Sequence, residues 1–201
     1  MITIKYSPSK CRDIAAIIAE EIKDGRLVVI PTDTCYGLAA YALNSKAVER
    51  VFQVKRRPLD RVISVFVGSK RDIYRLCLVN KLAEEYIKLL PARLTLILRA
   101  KNPEQFPRGV VTPEGNIGIR LSPHPLPTTI AEILKAPITA TSANISGEEP
   151  IYDSKLIPIS LPDVDILVDA GKLPEIPPST VVDLTGEKPV VLRKGSYTLP
   201  F

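Results

Sequence analysis

Leu27-Val28-Val29-Ile30-Pro31-Thr32-Asp33-Thr34-Cys35-Tyr36-Gly37-Leu38 is the stretch on which the fold turns. Four apolar, mostly β-branched residues predict a short buried strand, Leu27–Ile30, and the Pro-Thr-Asp-Thr run that follows reads as a polar turn. Two threonines and an aspartate on such a turn can hold an amino acid or cap a helix, and local chemistry alone favours the cap. Upstream, Ile14, Ile17, Ile18 and Ile22 recur at helical spacing, with Gly25 as a stop, and Ile2–Tyr6 reads as a strand. Downstream, Val48, Val51 and Phe52 mark a second helix, capped by Asn44 or Ser45. A strand follows at Val62–Val67, and then a helix at Asn80–Leu90 with Leu82, Tyr86 and Leu89 on one face. Leu94–Leu98, Ile117–Leu121, Pro137–Thr141, Ile166–Val168, Val181–Leu184 and Val190–Arg193 are strand candidates, with a helix at Thr128–Leu134. Strands and helices alternate early, whereas the later strands follow one another directly. The pattern predicts an α/β fold on one mixed sheet. No composition shift marks a linker, so residues 1–201 read as a single domain.

Composition narrows the class. With 45 % hydrophobic and 24 % charged residues, the chain has an ordinary globular make-up, and its longest apolar runs are too short to span a bilayer. The N-terminus lacks the apolar core of a secretory signal, so the expected compartment is the cytoplasm. Three scattered cysteines, Cys11, Cys35 and Cys77, with no CxxC, predict free thiols rather than a disulfide framework or a zinc knuckle. The single histidine, His124, lies between prolines and reads as a surface or packing residue. The net charge of +5 allows an anionic ligand or a nucleic acid without requiring either.

Neither a Walker A loop nor GxGxxG is present, so a nucleotide would have to bind by another geometry. Besides the turn at residues 31–38, four segments concentrate polar groups beside apolar runs. Lys55-Arg56-Arg57-Pro58-Leu59-Asp60-Arg61 closes a helix. It reads equally as a phosphate grip or as cations set against a helix dipole. Asn116-Ile117-Gly118-Ile119-Arg120-Leu121-Ser122 places an arginine among apolar neighbours, where it needs a structural carboxylate or a ligand anion. Thr139-Ala140-Thr141-Ser142-Ala143-Asn144-Ile145-Ser146-Gly147 gathers hydroxyls and an amide that can serve phosphate and sugar oxygens, or form an ordinary turn. Ser179-Thr180-Val181-Val182-Asp183 opens one strand on hydroxyls, and Arg193 closes the next.

In this order, PTDTCYGL, KRRP, RLTLIL, GIRLSPHP, TSANISG, STVVD and LRKG resemble the YrdC/TsaC family of threonylcarbamoyl-AMP synthases, over Pro31 to Gly195. The resemblance implies a twisted mixed β-sheet flanked by helices, with a large concave basic surface. It implies synthesis of threonylcarbamoyl-AMP and pyrophosphate from L-threonine, bicarbonate and ATP, with magnesium, for N6-threonylcarbamoyladenosine in tRNA. A tRNA contact and a downstream threonylcarbamoyl-transferase partner follow from it too. By the same resemblance, Thr34, Arg120 and Ser179 serve threonine. Lys55 and Arg57, exposed to the cleft, are the catalytic pair. Arg57, Asn116, Ser142, Asn144 and Arg193 bind ATP, with Ser146 beside them. The chain departs from the family pattern at Arg61, Phe66 and Pro150, and reads Pro91-Ala92-Arg93 where relatives read PGP. A competing reading is an RNA-binding protein of the same fold without synthase activity, but 5 % aromatic residues and no tryptophan are poor material for base stacking. A carbamoyl-transfer module like that of hydrogenase-maturation proteins is the third.

Overall fold

The computed structural model describes residues 1–200. The chain begins with β1 (Ile2–Lys5), α1 (Cys11–Lys23), β2 (Val28–Pro31), β3 (Tyr36–Ala39), α2 (Ser45–Val54), β4 (Ser64–Phe66), α3 (Lys70–Leu76) and β5 (Cys77–Leu78). It continues with α4 (Lys81–Lys88), β6 (Leu94–Ala100), β7 (Asn116–Arg120), α5 (Pro125–Leu134), β8 (Ile138–Ser142), α6 (Ile157–Ser160), β9 (Ile166–Asp169), β10 (Thr180–Asp183) and β11 (Val190–Arg193). The strands form one mixed sheet in the order β1-β9-β2-β3-β8-β4-β7-β6-β10-β11, with β5 added beside β6. β1 and β2 run parallel to β9, β4 to β7 and β6 to β10, and the other pairings are antiparallel.

β2 shows why its sequence is apolar throughout. Side chains alternate across a strand. Val28 and Ile30 pack under α1 and α5 with Ile18, Ile22 and Ile130, while Leu27 and Val29 face the opposite layer with Val48 and Val51 of α2. Both faces are covered, so no position is left for a polar residue. The helices begin where their caps dictate: the Asn44, Ser69 and Asn80 side chains each accept the backbone N–H three residues on.

Several details differ from the expectation. Tyr36–Ala39 is a strand, antiparallel to β2, so the Thr32-Asp33-Thr34 run is a hairpin turn and caps no helix. The α3–β5 unit at residues 70–78 carries too short an apolar repeat to be read in advance. Ile17 is 51 % exposed, and Ala15 and Ala19 complete the buried face of α1 in its place. α5 starts at Pro125, three residues earlier than expected, because His124 Nδ1 accepts the Leu126 N–H and a proline is well suited to the first helical turn. Burial lowers the His124 pKa from its ordinary value, which suits a neutral imidazole serving as a cap acceptor.

Candidate active site

The β2–β3 hairpin turn is held from three sides. Thr32 Oγ1 donates to the Cys35 carbonyl and accepts the Thr34 N–H, which closes the turn on itself. The Asp33 carboxylate accepts from Arg120 Nη2 at 2.8 and 3.1 Å and from Ser122 Oγ at 2.6 Å. Arg93 Nε donates to the Asp33 carbonyl at 2.9 Å. The Asp33 and Arg120 side chains are 2 % and 9 % exposed. The anchor for Arg120 is therefore the structural carboxylate, one of the two partners its setting called for. Arg120 Nε keeps no partner among the described residues, and the guanidinium lies over the Phe66 ring, 4.9 Å from its centroid. The aromatic ring at position 66 thus supports the arginine.

Beside this turn lies a cavity of about 260 Å³. Thr34, Arg57, Arg120, Ser142, Ser179 and Arg193, which come from six separated segments of sequence, all reach its wall. Thr32, Cys35, Ser64, Thr95 and Thr141 add further hydroxyls and a thiol. Among the described residues, three arginines and no acidic side chain line it, so the space suits an anion. Burial, and then the Arg61 charge, lower the Arg57 pKa from its ordinary value, an effect that an entering anion would relieve. Arg57 is held by Nε to the Arg61 carbonyl and Nη2 to the Val62 carbonyl. Arg193 donates Nε–H to the Ser179 carbonyl and Nη2–H to Ser179 Oγ, and Ser179 Oγ also meets Thr95 Oγ1 at 2.8 Å. Gly195 makes that arrangement possible, since a Cβ there would sit 2.1 Å from the Pro178 carbonyl oxygen.

Lys55 corrects one expectation. It was to be exposed to the cleft, yet it is 1 % exposed and does not reach the cavity wall. Its Nζ donates to the Ser142 carbonyl, the Asn144 carbonyl and Asn144 Oδ1. The Lys55 carbonyl in turn accepts the Ser146 N–H. Burial, and then the Arg57 charge, lower the Lys55 pKa to about 8. Asn144 is consumed by the same knot, because its Oδ1 also takes the Ser142 hydroxyl and its Nδ2 donates to the Glu148 carbonyl. Lys55 and Asn144 therefore hold the turn after β8 from behind, and Ser142 presents that turn to the cavity.

Asn116, expected with the nucleotide, lies elsewhere. It opens β7 while Arg120 closes it, roughly 13 Å further along the strand. There it pairs with Arg99, its N–H donates to Thr112 Oγ1 and its carbonyl accepts the Thr112 N–H. Its Oδ1 is buried without a partner among the described residues. The sequence reading missed Asp33 as a site residue, although its place between two threonines at a strand end was the available signal. It also missed Thr95, whose hydroxyl is hidden among the leucines of β6.

Metal ligands are sparse. Among the described residues, His, Cys, Asp and Glu nowhere gather in threes that could hold an ion. Asp33, between two residues of the cavity wall, is already committed to Arg120 and Ser122. The protein side chains thus do not fit a resident metal.

The model of the Sua5/YciO/YrdC family, described as telomere recombination, matches residues 20–195. A Methanocaldococcus jannaschii protein named as a candidate threonylcarbamoyl-AMP synthase is 36 % identical over 188 residues, covering 92 % of this chain and 86 % of its own length. The Pyrococcus abyssi threonylcarbamoyl-AMP synthase is 34 % identical over 91 % of this chain, which spans 54 % of that longer protein. The structure of P. abyssi Sua5 complexed with L-threonine superimposes with a TM-score of 0.86 at 31 % identity, over 96 % of this chain and 57 % of the other. Sequence and fold agree from the first helix to the last strand, and the chain belongs to the Sua5/YciO/YrdC family.

Proposed function

We propose that this chain is an L-threonylcarbamoyladenylate synthase. It joins L-threonine, bicarbonate-derived CO2 and ATP into threonylcarbamoyl-AMP and pyrophosphate, for N6-threonylcarbamoyladenosine in tRNA. One observation carries the reading: three guanidinium groups and a row of hydroxyls, with no acidic side chain, line one cavity. ATP is an anion and threonine presents a carboxylate, and the carbamate and the pyrophosphate formed from them are anions as well. The names of the relatives support the same reaction and do not favour a pure RNA binder.

The threonine amine attacks CO2 and loses a proton, giving a carbamate. A carbamate oxygen then forms a bond to the α-phosphorus of ATP. The bond from that phosphorus to the α–β bridging oxygen breaks, and pyrophosphate leaves with its electron pair. No covalent enzyme intermediate is required. What the chain supplies is position and positive charge. In this reading Arg120, held by Asp33, faces the threonine carboxylate, with Thr34 and Ser179 beside it. Arg57, Arg193 and Ser142 face the phosphates. Lys55 and Asn144 act through Ser142, and Asn116, away from the cavity, has no part. Magnesium would arrive with ATP as part of that substrate and would add positive charge at the phosphates.

Residues 1–201 would act as one catalytic domain in the cytoplasm. A tRNA contact and a partner that transfers the threonylcarbamoyl group belong to this proposal as well. No helix among the described residues is long and apolar enough to cross a membrane. The test is pyrophosphate release with each substrate omitted in turn. Release that requires threonine and bicarbonate supports the synthase. Equal release with serine, or without any amino acid, refutes it.

A further inference from the structure

The cavity wall has one part that the charges leave unused. Pro150, Tyr152, Ile176 and Pro178 all line it. They come from two loops, residues 150–153 and the proline-rich 173–178. Tyr152 ties the loops together: its hydroxyl donates to the Ile176 carbonyl at 3.2 Å, and its backbone carbonyl accepts the Leu173 N–H at 2.8 Å. Asp153 bridges to Lys172 in the same seam. The tyrosine is therefore fixed at both ends, while its residue remains only partly buried.

Two aromatic rings contribute to the lining, Phe66 and Tyr152. Phe66 is 2 % exposed, and the Arg120 guanidinium covers its face. Tyr152 is the ring left available. A flat ring held rigidly in an apolar, proline-bounded wall, with arginines in the same cavity, matches a ligand that joins an aromatic base to an anion. A base stacks on such a face with little regard to its hydrogen-bonding edge.

We infer that Tyr152 is the nucleobase platform of this site: the adenine of ATP stacks on its ring while Arg57 and Arg193 take the phosphates. The inference rests on the synthase reading and adds a binding residue to it. The Tyr152 hydroxyl is spent on Ile176, so the ring and not the hydroxyl carries the contact.

The test compares Tyr152→Ala and Tyr152→Phe with the unaltered chain. ATP and threonine titrations follow pyrophosphate release, and inorganic triphosphate serves as a competitor without a base. Tyr152→Ala should raise the ATP KM about 5- to 150-fold, the range lost with one base–aromatic stack. The threonine KM and triphosphate inhibition should move less than about twofold, since neither ligand reaches the ring. Tyr152→Phe should stay close to the unaltered chain. An unchanged ATP KM in Tyr152→Ala overturns the assignment. So does a parallel loss of triphosphate inhibition, which would mark a collapsed wall instead of a missing stack. A Tyr152→Phe variant as impaired as Tyr152→Ala overturns it too, because the hydroxyl would then be the essential group. If the unaltered chain shows no saturable use of ATP, the synthase reading falls together with this one. Saturable ATP use with an unmoved KM removes Tyr152 alone.

Discussion

Lys55 Nζ lies 2.8 Å from the Asn144 carbonyl oxygen and 3.1 Å from Asn144 Oδ1, across 89 residues of sequence. The ammonium is the rivet of the turn after β8, and it is buried. Lys55→Met keeps the bulk and removes the donor. Three oxygens lose a donor; the Ser142 carbonyl keeps the Asn144 N–H and Asn144 Oδ1 keeps the Ser142 hydroxyl, so the Asn144 carbonyl is the acceptor left stranded, at a cost on the order of 1–3 kcal/mol. Urea denaturation should show a loss of about 1–3 kcal/mol, with activity falling because Ser142 is no longer held. A variant as stable as the unaltered chain would remove the rivet assignment.

The same lysine gives a pH dependence with a definite sign. Its folded pKa of about 8 lies below the ordinary 10.5. Below pH 8 it is charged in both states, and the cost of burying the charge is fully present. Between about 8 and 10.5 the unfolded chain binds more protons, so stability rises with pH. The stability of the unaltered chain relative to Lys55→Met should therefore grow across that window, by up to about 3 kcal/mol at 1.36 kcal/mol per unit. A difference that stays flat, or shrinks, between pH 8 and 10.5 contradicts the burial argument.

Asp33→Asn removes the charge that Arg120 and Ser122 grip. Truncating one partner of a buried pair costs about 3–5 kcal/mol, because the other charge is left uncompensated. The melting temperature should drop, and the threonine KM should rise as the arginine loses its fixed direction. Melting curves paired with threonine titrations on this variant decide the matter. A stable variant with unaltered threonine use would mean that Asp33 positions nothing.

Arg120→Lys retains a charge without the planar fork. The threonine KM should rise more than the ATP KM, and stability should fall, since Asp33 loses its two short contacts. If the threonine KM does not move in the folded variant, Arg120 serves the fold alone.

Arg57→Ala is the complementary case. Its contacts are to two backbone carbonyls on a half-buried side chain. Melting should hardly change, whereas kcat/KM should fall by about 10- to 150-fold, the loss of one charge-assisted contact of roughly 1.5–3 kcal/mol. Activity within a factor of about two of the unaltered chain would take Arg57 out of the phosphate site.

Elements whose signal is local were legible in the chain. Leu27–Ile30 is apolar at every position because both faces are covered, and the helices after Asn44 and Asn80 start where an asparagine can accept the N–H of its third neighbour. The order of polar segments was also legible, and with it the family resemblance, because those residues stand in short contiguous runs. Which of them face the cavity depends on the fold as a whole. Lys55 and Arg57 are two residues apart, yet one is buried behind the β8 turn and the other lines the wall. Arg120 looked equally ready for a ligand or a carboxylate until Asp33, 87 residues away, proved to be its partner. Asn116 shares a strand with Arg120, and the length of that strand carries it away from the site. Direction and partner depend on how distant strands are set side by side in the sheet, and no local window of sequence contains that information.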